Sequence, residues 1–137
     1  MTETMEDLTF WVEGTPVPQG SMIGYIVGKK RVNIVHSNAV TLKPWRDRVT
    51  GAARAVAAER TFVGAVAVSL NFYVPRGSTV TRLLPFKRPD VDKYIRAILD
   101  ALTKAGVYED DGQVVDVHAS KRYADDKPGV RIKVSAA

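Results

Sequence analysis

Along this chain the spacing of apolar and polar positions changes several times, and each change marks an element. Leu8 to Glu13, rich in aromatic and apolar residues, predicts a first strand. Gly14, Pro16, Pro18 and Gly20 then break regular structure. Residues 22–27 and 31–36 read as a hairpin around Gly28-Lys29-Lys30. Thr41 to about Arg60 predicts a helix with an apolar stripe of Val49, Ala52, Ala53, Val56 and Ala57, and Pro44 is tolerable only in its first turn. Val66 to Val74 is a strand carrying Val66, Val68, Leu70 and Phe72 on one face.

The segment from Pro75 to Pro89 is long for a loop in a compact domain. A second helix runs from Val91 to Ala105, with Val91, Ile95, Ile98, Leu102 and Ala105 marking its buried side and Gly106 placed to end it. Gln113 to Tyr123 and Val130 to Val134 supply two closing strands. The order β, ββ, α, β, α, ββ predicts an α+β fold, a mixed β-sheet packed against two main helices. With no internal repeat, residues 1–137 are expected to form a single domain.

Composition narrows the chemistry. The absence of cysteine excludes thiol catalysis, disulfide scaffolds and zinc fingers. Twenty Lys and Arg against fifteen Asp and Glu give a net charge of +5, which suits a polyanionic partner. Glu3, Glu6 and Asp7 stand where a secretory signal would need basic and then apolar residues, and no stretch has the apolar length of a membrane span. A cytoplasmic protein without a membrane partner is expected.

Several constellations compete for a chemical role. Gly24 to Lys30 superficially suggests a phosphate loop, but Ile23 occupies the place of the first glycine and Lys30 that of the Ser or Thr. A basic hairpin turn is the better reading, and Lys29, Lys30 and Arg31 can still touch a phosphate backbone. His36 and His118 are the only imidazoles; His118 shares a strand face with Asp116 and Ser120, and a structural or solvated role is expected for it. Trp11, Trp45, Phe72, Tyr73 and Tyr94 are expected in the core or in helix–sheet packing. Phe86, between Pro85 and Lys87, is the exception and could wedge into an opened base step.

The strongest constellation is Asp90-Val91-Asp92 at a helix start, followed by Arg96 and then by Asp110-Asp111. Local structure alone could account for it: Asp90 as N-cap, Asp92 favouring the helix dipole and pairing with Arg96, and Asp110-Asp111-Gly112 as a turn. The functional reading is a Mg²⁺ site, since that ion takes a few hard carboxylates together with substrate phosphate. The preceding loop carries Arg76, Arg82, Lys87 and Arg88 with no acid among them, which would hold a DNA backbone beside the metal. A helix of about 15 residues is ~22 Å long, so Asp110 and Asp111 begin at the far end from the first pair. The spacing leaves open whether they meet.

The run Arg88-Pro-Asp-Val-Asp-Lys-Tyr-Ile-Arg-Ala-Ile-Leu-Asp-Ala-Leu-Thr-Lys-Ala-Gly-Val-Tyr-Glu-Asp-Asp-Gly-Gln-Val-Val-Asp resembles the signature of the RusA family of Holliday junction resolvases. The likeness is specific from Arg88 to about Lys133 and looser in the first half. It implies a homodimer that binds four-way DNA junctions and nicks two strands symmetrically with Mg²⁺. The metal-binding positions of that family fall on Asp90, Asp92 and Asp111, and the resemblance suggests that a dimer could complete the site. The family's functional lysine is replaced by Arg96, which can stabilise charge on a phosphate but makes a poor proton donor. Asp90, Asp92, Asp111 and Arg96 are thus the expected catalytic set. The rivals are a non-catalytic junction- or DNA-binding architectural protein, and a broader flap or fork nuclease.

Overall fold

The computed structural model describes residues 5–20, 22–27, 31–36 and 39–137, with side chains for 5–20 and 41–137. Lys29 and Lys30, and the side chains of Arg31 and His36, lie outside the described residues. Eight main elements follow in order: β1 (Leu8–Glu13), β2 (Met22–Val27), β3 (Arg31–His36), α1 (Ala39–Ala57), β4 (Val66–Val74), α2 (Val91–Ala105), β5 (Val114–Tyr123) and β6 (Gly129–Ala136). A short 3-10 turn, Asp111–Gln113, leads into β5. The fold is α+β, as expected.

Four strands form a mixed sheet in the order β1-β6-β4-β5, while β2 and β3 pair as a separate two-stranded sheet. β6 runs antiparallel to β1 and β4, and β5 is parallel to β4. A parallel neighbour needs a crossover, and α2 supplies it. The helix therefore runs back along the sheet between β4 and β5.

Strict alternation builds the core. Val66, Val68, Leu70, Phe72 and Val74 of β4 all turn to one face and are buried. Leu8, Phe10 and Val12 of β1 and Val130, Ile132 and Val134 of β6 join them. Both helices cover this face; each large side chain sequestered there contributes roughly 1.5–3 kcal/mol of apolar transfer free energy. α1 and α2 also meet each other, where the Arg46 guanidinium lies 3.6 Å from the Asp100 carboxylate.

Three details differ from the sequence expectation. α1 begins at Ala39, which places Pro44 inside the helix rather than in its first turn. It stops at Ala57 because Ala58 (φ 50°) and Glu59 (φ 69°) take left-handed conformations. The buried side of α2 is Tyr94, Ala97, Ile98, Ala101 and Leu102, whereas Val91, Ile95 and Ala105 are only half-buried. The stripe is displaced because the helix must satisfy the sheet and α1 together, and small Ala97 and Ala101 permit the close approach. No helix among the described residues is long and apolar enough to cross a membrane.

Candidate active site

The chain enters α2 through a pinned loop. The Lys121 ammonium, on the helix-facing register of β5, donates to the carbonyls of Lys87 and Pro89, both at 2.7 Å. These carbonyls flank the cis Arg88–Pro89 peptide. Asp90 follows as N-cap residue with extended backbone (φ −71°, ψ 143°), but its side chain makes no capping bond. Its carbonyl instead accepts from the Lys93 amide at 3.2 Å. Asp92 lies in the first helical turn, where the helix dipole favours an ionised carboxylate.

Asp90, Asp92 and Arg96 are all exposed, and neither a side-chain cap nor an Asp92–Arg96 ion pair forms. Of the structural roles that local sequence offered these acids, Asp92 keeps its place in the helix dipole, while the cap bond and the ion pair are unmade. Two hard carboxylates at one helix mouth bond to no described residue through their side chains, a donor set suited to Mg²⁺ completed by water and substrate phosphate.

The other acids sit at the far end of α2. Gly106 takes a left-handed conformation (φ 79°) and closes the helix, with the Val107 amide donating to the Leu102 carbonyl at 3.2 Å. Asp110 caps the 3-10 turn through a bond from the Gly112 amide, 3.3 Å long. Gln113 secures the turn from both ends of its amide. Its oxygen accepts from Glu109 and Asp110, and its nitrogen donates to the carbonyls of Phe62 and Gly64. Asp111 accepts a hydrogen bond from the Thr103 hydroxyl.

Thr103 lies eleven residue steps along the helix from Asp92, or ~17 Å along the axis. The fold therefore gathers Asp90 with Asp92 and holds Asp111 apart. Among the described residues no three His, Cys, Asp or Glu come together as a metal site. His118 and Asp116 approach to 3.5 Å, but both are exposed and no third ligand joins them.

The loop cations divide into two kinds. Arg76 is engaged, packing 4.6 Å from the Tyr123 ring centroid and donating to the Arg82 carbonyl at 3.0 Å. Arg82 lies 5.6 Å from the Phe86 ring, with its Nε buried and unpartnered. Lys87 and Arg88 are exposed. A cleft of about 260 Å³ opens between this loop, the start of α2 and the sheet, lined by Arg82, Lys87, Arg88 and Lys121 with Tyr94 and Tyr123. Phe86 is 73% exposed and is joined by the exposed Leu83 and Leu84.

Lys121, Thr103 and Gln113 were not expected to serve the site. The signal for Lys121 was a cation in the same register as Val117, Ala119 and Tyr123 on β5.

The sequence matches the family model for endodeoxyribonuclease RusA over residues 13–135, so the likeness reaches well into the first half of the chain. Uncharacterized protein YqaN of Bacillus subtilis (strain 168) is 31% identical, over 95% of this chain and 96% of its own length. Crossover junction endodeoxyribonuclease RusA of Aquifex aeolicus (strain VF5) is 29% identical, over 98% of this chain and 95% of its own. With its acidic pair free at the mouth of α2 and the match spanning nearly every element, this chain belongs to the RusA endodeoxyribonuclease family.

Proposed function

We propose that residues 1–137 act as a single nuclease domain, a Mg²⁺-dependent, structure-selective endodeoxyribonuclease that resolves four-way DNA junctions by paired symmetric nicks. The observation that carries this reading is the pair Asp90 and Asp92, exposed and with side chains that bond to no described residue, beside a cleft lined by four cations. Asp90, Asp92 and Asp111 would hold Mg²⁺. When bound, that ion supplies an activated water and neutralises charge on the scissile phosphate.

The chain's own residues do the rest. Lys87 and Arg88 hold backbone phosphates, while Arg76 and Arg82 shape the loop and add to its positive potential. Arg96 lies one turn beyond Asp92 and stabilises developing negative charge with its permanently protonated guanidinium. Phe86 stands ready to enter an opened base step.

The separation of Asp111 from the pair supports a homodimer whose active sites are shared. β5 is an edge strand, and its span from Val114 to Lys121 is about as long as α2. Antiparallel pairing of this edge with its copy carries the partner's Asp111 toward Asp90 and Asp92. Two equivalent sites in a two-fold dimer suit the two-fold symmetry of a junction.

The test is nicking of a labelled synthetic four-way junction beside linear duplex of the same sequence, with Mg²⁺, with EDTA, and with Asp92→Asn. Paired symmetric nicks on the junction alone, lost with EDTA or the variant, are expected. Junction binding without nicks would favour the architectural reading. Equal cutting of flaps or forks would favour the broader nuclease.

A further inference from the structure

Among the described residues, helices cover one face of the four-stranded sheet. On the other, register places Trp11 of β1 opposite Arg131 of β6, and Tyr73 of β4 between Gly129 of β6 and Arg122 of β5. Trp11 and Tyr73 were expected in the core, but Trp11 is 37% exposed and Tyr73 is half-buried. The alternation that buries Phe10, Val12 and Phe72 turns their neighbours outward, and among the described residues no second layer covers them.

The exposed indole is held in a built seat. A Cβ on Gly129 would lie 2.4 Å from the Trp11 ring and 2.5 Å from the Val12 carbonyl, so glycine alone lets the ring lie against the strand. Tyr73 flanks it with ring centroids 5.8 Å apart, and the Arg131 guanidinium stands 6.0 Å from the ring centroid. A shallow cleft of about 520 Å³ runs beside these groups toward Asp125, Asp126 and Lys127.

Charge indicates what the cleft receives. Arg122 and Arg131 are exposed and form no ion pair with any described residue, leaving two cations along the rim. The carboxylates of Asp125 and Asp126 would repel a phosphate from the cleft itself but can accept from the N–H groups of a base, including the ring N–H of thymine. An aromatic face with flanking arginines binds an unstacked base while its phosphates stay on the cations.

We infer that Trp11, Tyr73 and Arg131 form a stacking platform for an unpaired nucleobase of a single-stranded DNA segment. The inference shares with the proposed function the premise that DNA is the partner, and uses none of its acidic residues. The platform lies at the end of the sheet where α2 begins, on the opposite face. Lys121 and Arg122 are successive residues of β5, one on the side of α2 and the other beside Tyr73. Unpaired strand leaving a branch point can pass from one face to the other around that end.

The test uses the whole protein in EDTA with a short oligothymidylate and, separately, a duplex of equal length. Trp45 is only 5% exposed, so quenching of tryptophan fluorescence by the oligonucleotide reads chiefly Trp11. Trp11→Ala is expected to weaken oligonucleotide binding about ten-fold. Trp11→Phe should retain most of the affinity. Duplex affinity should stay within two-fold, which also shows that the variants are folded.

Unquenched fluorescence with bound oligonucleotide, or wild-type affinity in Trp11→Ala, would overturn the platform. So would loss of the dimer in Trp11→Ala, which would make this face a contact between copies. The oligonucleotide is bound in EDTA, where no nicking takes place. Failure of junction nicking and failure of the platform are therefore read by separate measurements.

Discussion

The Thr103 hydroxyl donates to the Asp111 carboxylate and so ties the third acid of the signature to the last turn of α2, while Asp92 occupies the first. One rigid helix thus keeps the two acids apart within a chain. If partner chains complete each other's sites, that separation has a direct genetic consequence.

Asp92→Asn and Asp111→Asn should each abolish junction nicking. Mixing the two proteins under conditions of subunit exchange should restore it in part. One of the two sites in each mixed dimer then holds only wild-type acids, while the other carries both substitutions. Random exchange makes about half the dimers mixed, so about a quarter of the sites become active. Nicks on one strand only, counted on a doubly labelled junction, would match this arrangement; no restoration would show that each chain builds its own site.

The neighbouring acids of the turn should part company. Asp110→Ala removes a cap and is expected to cost about 1 kcal/mol in urea unfolding while most nicking survives. Asp111→Asn keeps an acceptor for Thr103 and should unfold within ~0.5 kcal/mol of wild type, with nicking lost. The reverse pattern would assign the chemistry to Asp110.

Lys121→Met should release the carbonyls of Lys87 and Pro89 and loosen the approach to Asp90. A stability loss of about 1–2 kcal/mol is expected from the two charge-assisted bonds, which are partly solvated. Higher Mg²⁺ should be needed for half-maximal nicking, and Lys121→Arg should recover part of both. A Mg²⁺ requirement unchanged in Lys121→Met would separate this lysine from the acidic pair.

Tyr108 predicts an alkaline limit. Burial pushes its phenol up to about 12, and the hydroxyl donates to the Leu99 carbonyl at 3.1 Å. The raised value means that the folded state prefers the neutral phenol. Its contribution to stability is complete below pH 10, the unfolded value, and is lost as pH rises toward 12. Thermal melts should show midpoints falling between pH 10 and 12, and Tyr108→Phe should flatten that fall at a cost of about 1 kcal/mol near neutral pH.

Much of the fold was legible because local signals and tertiary packing agree. β4 alternates strictly and is buried on the side its apolar residues mark, and α2 ends at Gly106 where a left-handed residue is needed. What failed to read from the chain depends on neighbours distant in sequence. Trp11 and Tyr73 look like core residues until the layers are counted, since a strand pattern does not reveal whether its second face is covered. Nor could spacing reveal that Asp90 leaves its cap bond unmade, or that Thr103 would hold Asp111. The acidic positions were legible mainly through family resemblance, because aspartates at helix starts and in turns are common for structural reasons alone.

The uninterrupted helix between Asp92 and Thr103, to which Asp111 is tied, also constrains how this chain can change in length. Inserting one residue between Asp92 and Thr103 would rotate one acid about the axis by ~100° relative to the other, besides lengthening the gap. A surface loop absorbs such an event, but here no compensating slack exists. α2 should therefore behave as a gauge: substitutions on its exposed side are tolerated except at Asp92 and Arg96, while single-residue insertions and deletions uncouple the two acids even in a protein that still folds.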